Sequence, residues 1–182
     1  INVGANTITL SGGGSFVSGG MTLNDAQSKL LLNSITLDSA STSANSLGLD
    51  VDANSTVTAF SVGHTTPVSI ADGKTLSGGV TVTAGSIKLG ETGTLGSSVT
   101  MSGGTLEADE TLTLSGALSH TGDITIDVAE DKTLTYSGTA IDVGANTITL
   151  SGGGSLVSGG MTLNDAQSKL LLNSITLDSA ST

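Results

Sequence analysis

The chain has 182 residues, 26 of them Gly, only 2% aromatic and none Cys, which excludes a disulfide framework, a Cys-ligated metal site and a core built on large rings. Five Lys against 16 acidic residues leave a formal net charge of -11, and that balance repels phosphate backbones and anionic lipid surfaces, so nucleic acid is excluded as a partner. The 36% apolar fraction is too high for a disordered polar linker, and no run of 18 apolar residues exists to insert into a membrane.

Val3 to Gly12 reads VGANTITLSG: an apolar residue, turn formers, an alternating Thr-apolar run and a Ser-Gly break. Alternation of period two is strand chemistry, so Ile8 and Leu10 point inward while Thr7 and Thr9 face solvent. Short alternating runs follow at Met21-Thr22-Leu23 and Ile35-Thr36-Leu37. Between them Asn24 to Asn33, NDAQSKLLLN, admits two readings: one or two helical turns with Asp25 near the N-terminus, or strands joined at an Asn-Ser corner.

The Val3 motif returns loosely at Val51 and Ile70, closely at Leu106 (LEADETLTLSG) and Val128 (VAEDKTLTYSG), and unchanged at Val143. Within it Leu112 and Leu114 face inward against Thr111 and Thr113. Further alternating runs occupy Val80-Thr81-Val82, Ile87-Lys88-Leu89, Val99-Thr100-Met101 and Ile124-Thr125-Ile126. Clusters of Asn, Asp, Gly and Ser between the runs supply turns. Pro67, the single proline, lies in GHTTPVSI, the least repetitive stretch, where a longer loop or a bulged coil is expected.

Residues 1-42 return as 141-182 with 40 of 42 positions identical; Asn2 becomes Asp142 and Phe16 becomes Leu156. A translation of 140 residues is incompatible with a closed barrel but natural to a solenoid, whose coils add without limit. The expected fold is therefore all-β, a single-stranded parallel β-helix with about 20 residues per coil and roughly seven coils per unit. Residues 1-140 form one unit and 141-182 begin the next, without a linker. The near identity points to recent duplication and to a parent with more copies.

The stretch from Thr75 to Gly116, TLSGGVTVTAGSIKLGETGTLGSSVTMSGGTLEADETLTLSG, resembles the autotransporter-associated β-strand repeat of bacterial passenger proteins. The resemblance implies a right-handed parallel β-helix, exported and displayed on the bacterial surface as a stalk, adhesin or fibre.

Several residues invite a chemical reading. Asp50, Asp52 and Asn54 have the spacing that opens a calcium loop, but Ser55 and Ser61 stand where an EF-hand requires Gly and Glu, so a turn entering a strand accounts for them. His64 and His120 are isolated in sequence and read as solvated loop residues. Asp109 with Glu110, and Glu130 with Asp131, are adjacent and should diverge rather than converge as an acid and base. Thr-x-Thr at 7-9, 56-58, 81-83, 111-113, 133-135 and 147-149 resembles the threonine ladders of ice-binding solenoids but lacks coil-by-coil spacing, so β-branched Thr on exposed strands explains it.

No catalytic, cofactor-binding or metal-binding residue is assigned, and no enzyme activity is expected. The expected function is a stiff extracellular rod or fibre whose partners are its own adjacent repeats, stacked end to end or side by side. The alternative is an adhesin that recognises glycans or cells through the irregular segment 47-68.

Overall fold

The computed structural model describes residues 1-63, 66-89, 93-96 and 98-179. Among them every regular element is a strand. Nine parallel strands stack in chain order to make a first face: Thr7–Ser11, Lys29–Asn33, Gly48–Val51, Pro67–Ile70, Ser86–Leu89, Thr105–Ala108, Ile124–Val128, Thr147–Ser151 and Lys169–Leu172. Residues paired across adjoining coils lie 19 to 24 positions apart in the chain, as in Pro67 with Ser86 and Thr125 with Thr149. The protein is a parallel β-solenoid of about eight turns.

Two further faces complete each coil. The second carries Ser15–Val17, Thr94–Leu95, Leu112–Leu114, Thr133–Tyr136, Ser155–Ser158 and Thr176–Ser179. The third carries Thr22–Leu23, Val99–Met101, Leu118–His120, Ile141–Asp142 and Met161–Thr162. In three coils one long strand serves both faces: Thr36–Ala44, Ser55–Gly63 and Thr75–Val82. Their pairing shifts register between Leu37 and Ala40 and again between Val57 and Phe60, so a bulge turns the corner without ending the strand.

Alternation places the apolar residues inside. Register on the first face aligns Ile8, Leu30, Leu49, Val68, Ile87, Leu106, Ile126, Leu150 and Leu172 in one inward column. Seven of these nine are buried; Ile8 is half-buried and Leu172 is 56% exposed, because each occupies a terminal coil with a neighbour on one side only. Each fully buried Leu or Ile contributes about 1.5–3 kcal/mol of transfer free energy. The solenoid therefore draws its stability from contacts between consecutive coils.

The segment NDAQSKLLLN resolves in favour of strands. Lys29–Asn33 is the strand, and Ser34 takes a positive φ of 59° at the Asn-Ser corner. Upstream, Asp25 makes a turn rather than a helix start: its Oδ1 accepts the Gln27 amide at 2.9 Å, and the Ser28 hydroxyl donates to the Gly4 carbonyl at 2.5 Å. Of the stretch expected to form a longer loop or a bulged coil, Pro67 to Ile70 is a first-face strand, where the fixed φ and missing N–H of Pro67 are tolerated at the first position. Within that stretch, His64 and Thr65 lie outside the described residues.

Seven steps along the first face separate Thr7–Ser11 from Thr147–Ser151, so the 140-residue unit spans seven coils, as expected. Local structure repeats with the sequence. Gly144 and Ser168 reproduce the Ser28 bond to Gly4 at the same 2.5 Å, and Ser174 reproduces the Ser34 corner at φ 54°. The Asn2 to Asp142 exchange preserves a cap, since each side-chain oxygen accepts the amide two residues on, at 3.1 Å and 3.0 Å. The column that starts at Thr7 runs through Lys29, Gly48, Pro67, Ser86, Thr105 and Thr125 to Thr149, two residues past the counterpart Thr147. One unit thus accumulates a lateral offset of about 6.6 Å along the strand direction.

Candidate functional site

The residues singled out in sequence are dispersed over the solenoid and engage neighbouring coils. Asp50 forms an ion pair with Lys29 of the preceding coil, and the Asn54 side chain accepts the Thr75 amide of the following coil at 2.9 Å. Both are used in holding coils together. Asp109 and Glu110 diverge as expected. Asp109 reaches back to Lys88 at 2.6 Å, whereas Glu110 reaches forward to Lys132 at 2.5 Å, so one acidic pair clasps the coil on either side. The hydrogen bond to Asp109, reinforced by its charge, holds the Lys88 ammonium above its usual pKa. Glu130 and Asp131 occupy an exposed turn in which Asp131 has a positive φ of 61°. Among the described residues no group of three or more His, Asp or Glu side chains converges.

His120 is a correction to the solvated-loop reading. It ends the strand Leu118–His120, half-buried, with Nδ1 3.1 Å from the Gly122 carbonyl and Nε2 2.8 Å from the Asp142 carbonyl. The ring bridges one coil to the next at the point where the third face changes from one sheet to another. His64 lies outside the described residues.

The Thr-x-Thr pairs do not stack coil by coil, as expected, but other hydroxyls do. Register on the third face aligns Thr22, Thr42, Ser61, Thr81, Thr100 and Ser119 in one outward column, one hydroxyl in each of six consecutive coils. Two residues further on, Thr83, Ser102 and Thr121 form a second rank, each bonded through its amide to the coil before it, at Val62, Val82 and Met101. Coil-by-coil spacing therefore belongs to this column of single hydroxyls and not to the Thr-x-Thr pairs. Of the Thr-x-Thr pairs, only Thr81 and Thr83 belong to it; 7-9 and 147-149 lie on the first face, and 56-58, 111-113 and 133-135 on or beside the second. Sequence inspection missed the ladder because two of its six members are Ser, and because coils of unequal length hide their alignment.

Several ladder hydroxyls are held in place. Thr83 donates to the Val62 carbonyl at 2.9 Å, Ser119 to the Val99 carbonyl at 3.3 Å, and Thr100 and Ser119 lie 3.3 Å apart. On the other side of the ladder Ala40 pairs with Ala59, and Gly79, Ser98 and Ala117 immediately precede the paired residues Val80, Val99 and Leu118. None of these residues is charged. The ion pairs instead sit on the first face and its corner with the second.

A separate groove of about 390 Å³ opens where the first face turns into the second. Gly13, Ser34, Thr36, Asn54, Thr56 and Ser77 contribute to its walls, giving a neutral, hydroxyl-rich surface. No family model, no curated protein and no solved structure matches this chain.

Proposed function

We propose that the protein is structural: a length of stiff β-solenoid rod displayed outside a bacterial cell, whose mechanism is mechanical rather than catalytic. The observation that carries this reading is the unbroken first face, nine parallel strands in chain order, in which a 140-residue unit ends seven coils later on the same sequence with which it began. Such a stack can be lengthened by whole units, each covering the open edge of the last. The surface location rests on the resemblance of residues 75-116 to passenger repeats, and the acidic exterior keeps neighbouring rods apart. The partners proposed are the chain's own repeats.

Electron imaging and solution scattering of the purified chain test the rod. The expected particle is elongated, and tandem copies produce an axial repeat of about 34 Å, seven coils at about 4.8 Å. A string of separate beads overturns the continuous solenoid.

A second reading, recognition of neutral glycans, is supported by the groove, because Asn54 and Thr56 on its walls belong to the segment 47-68. Exchanging that segment for the coil 86-104 should abolish glycan or cell binding by the chain. Unchanged binding removes this reading and leaves the rod untouched.

A further inference from the structure

We infer that the third face carries a pH-responsive seam between Leu118–His120 and Ile141–Asp142, a gap of one coil step in the hydrogen-bond ladder that the charged ring of His120 closes and the neutral ring loosens. The inference concerns a single coil step and holds whether or not units join into a longer rod.

The ladder is missing on one side of one step. The coil containing Thr105–Ala108 and Leu112–Leu114 pairs with the next coil on the first face, through Ile124–Val128, and on the second, through Thr133–Tyr136. On the third face Leu118–His120 pairs backward with Val99–Met101, and Ile141–Asp142 pairs forward with Met161–Thr162, but these two strands do not pair with each other. The steps on either side show what has been replaced. Val99 donates its amide to the Ala117 carbonyl of the following coil at 2.8 Å, and Ile141 donates to the Gly160 carbonyl at 3.0 Å. Leu118 stands in register with Val99, yet its amide donates to the Tyr136 hydroxyl at 3.2 Å.

Tyr136 accounts for that substitution. In its second-face column the coil before places Leu114 and the coil after places Ser158, so the buried phenol is longer than either neighbour and reaches the corner with the third face. Gly138 leaves it room, since a Cβ there would lie 2.3 Å from the Tyr136 Oη. A buried phenol needs a hydrogen-bond partner, and the Leu118 amide supplies one. The hydroxyl thereby takes the place that a backbone carbonyl holds in the adjoining steps.

His120 makes the second bridge, at the other end of the same strand. Its Nε2 lies 2.8 Å from the Asp142 carbonyl across the seam, and its Nδ1 lies 3.1 Å from the Gly122 carbonyl in its own turn. Both neighbours are oxygens that only accept. A neutral imidazole has one N–H, so one of its nitrogens must turn a lone pair toward a carbonyl, whereas the imidazolium donates from both and donates more strongly. The contribution of His120 to closure is therefore present while the ring is charged and lost as it is neutralised. The other titratable groups around the ring are Tyr136, Asp123 and Asp142. Asp142 directs its carboxylate to the Gly144 amide at 3.0 Å, Asp123 directs its own to the Thr147 amide at 2.7 Å, and Val99–Met101 carries no charge.

Amide hydrogen exchange of the intact 182-residue chain, followed by nuclear magnetic resonance at about pH 5 and about pH 8 and corrected for intrinsic rates, tests the inference. Leu118 reports the seam, and Thr125, whose amide bonds to the Gly104 carbonyl on the first face of the same step, reports the rest of the coil. Protection of Leu118 should fall at least about fivefold between the two conditions, the scale of exchanging a charged for a neutral donor, while protection of Thr125 stays constant. His120→Gln, which keeps one donor and cannot titrate, should abolish the difference, and His120→Asn serves if that variant fails to fold. Asp142→Asn should retain the difference, because Asn2 holds the same position in the first copy and makes the same bond to its turn. Leu118 protection that is equal at both conditions overturns the inference. So does an equal fall at Thr125, which would mean global loosening, or a fall that persists in His120→Gln, which would assign the titration to a carboxylate.

Discussion

The two copies of the 42-residue segment act as an internal control for what a single residue does, because identical sequence meets different surroundings. Gly154 and Gly14 are such a pair. A Cβ at Gly154 would stand 2.3 Å from the Ala129 carbonyl and 2.7 Å from that of Lys132, whereas at Gly14 nothing lies within 4 Å. The difference is the coil beneath: Gly154 rests on the turn 129-132, and the first coil has no neighbour on that side. Gly154→Ala should therefore lower stability by about 1–3 kcal/mol, the usual cost of overpacking, while Gly14→Ala should change it by less than about 0.5 kcal/mol. Urea unfolding of the two variants checks this, and equal midpoints would contradict the close approach. Phe16 and Leu156 show the same tolerance from the other direction. Both face inward on the second face, where Phe16 is half-buried at the open end and Leu156 is enclosed between Leu134 and Leu177.

At the scale of the element, the inner motif proves to be a corner followed by a strand, not a coil. The copies beginning at Val3 and Val143 carry the chain onto the first face, with strands Thr7–Ser11 and Thr147–Ser151. Those at Val51, Ile70, Leu106 and Val128 carry it from the first face to the second. One piece of turn chemistry serves two different corners, which is why the motif starts are unevenly spaced along the chain. The turns at Gly73 and Asp131 illustrate it: each has a positive φ, 68° and 61°, and each is closed by a Lys amide bonding back to an Ala carbonyl, at 3.0 Å and 3.1 Å.

The strand Thr36–Ala44 departs from the apolar rule, since its inward residues after Leu37 are Ser39, Ser41 and Ser43. Ser39 is bonded by Ser18 at 2.8 Å and Ser41 at 3.0 Å, but the Ser43 hydroxyl is buried without a partner, between Leu23 and Val62. Removing an unsatisfied buried hydroxyl relieves its desolvation cost, so Ser43→Ala should stabilise by about 1 kcal/mol, whereas Ser39→Ala should destabilise by a similar amount. Thermal melting of both variants checks the opposite signs. A fall in stability for Ser43→Ala would mean that the hydroxyl is satisfied in solution.

For the whole molecule, stability is distributed from coil to coil, and a residue's contribution depends on whether both neighbours are present. Leu32 is fully buried, and its counterpart Leu172 is 56% exposed. Leu32→Ala should cost about 2–5 kcal/mol, the range for truncating a buried Leu, and Leu172→Ala less than about 1 kcal/mol. Hydrogen exchange resolves where each cost is felt: the interior variant should loosen amides in the coils on either side, and the terminal one only its own. The two-residue offset accumulated over one unit also fixes how the faces run along a longer stack. The column of outward hydroxyls would drift by about 6.6 Å per unit instead of forming a straight stripe.

The alternation of Thr with Leu and Ile, the Gly, Asn and Asp clusters, and the recurrence after 140 residues sufficed to determine a parallel solenoid of short strands with seven coils per unit. Those features are local or strictly periodic, and each follows from the pleat of a strand, the backbone freedom of a turn residue or the open-ended addition of coils. Pairing between coils was beyond the sequence's reach, because partners lie 19 to 24 residues apart in the chain and the corners absorb the variation. Register therefore came only with the tertiary structure. It placed His120 in a strand instead of a loop, opened the strand at Pro67, sent Asp109 and Glu110 to opposite neighbours, and assembled single outward hydroxyls from six coils into one ladder.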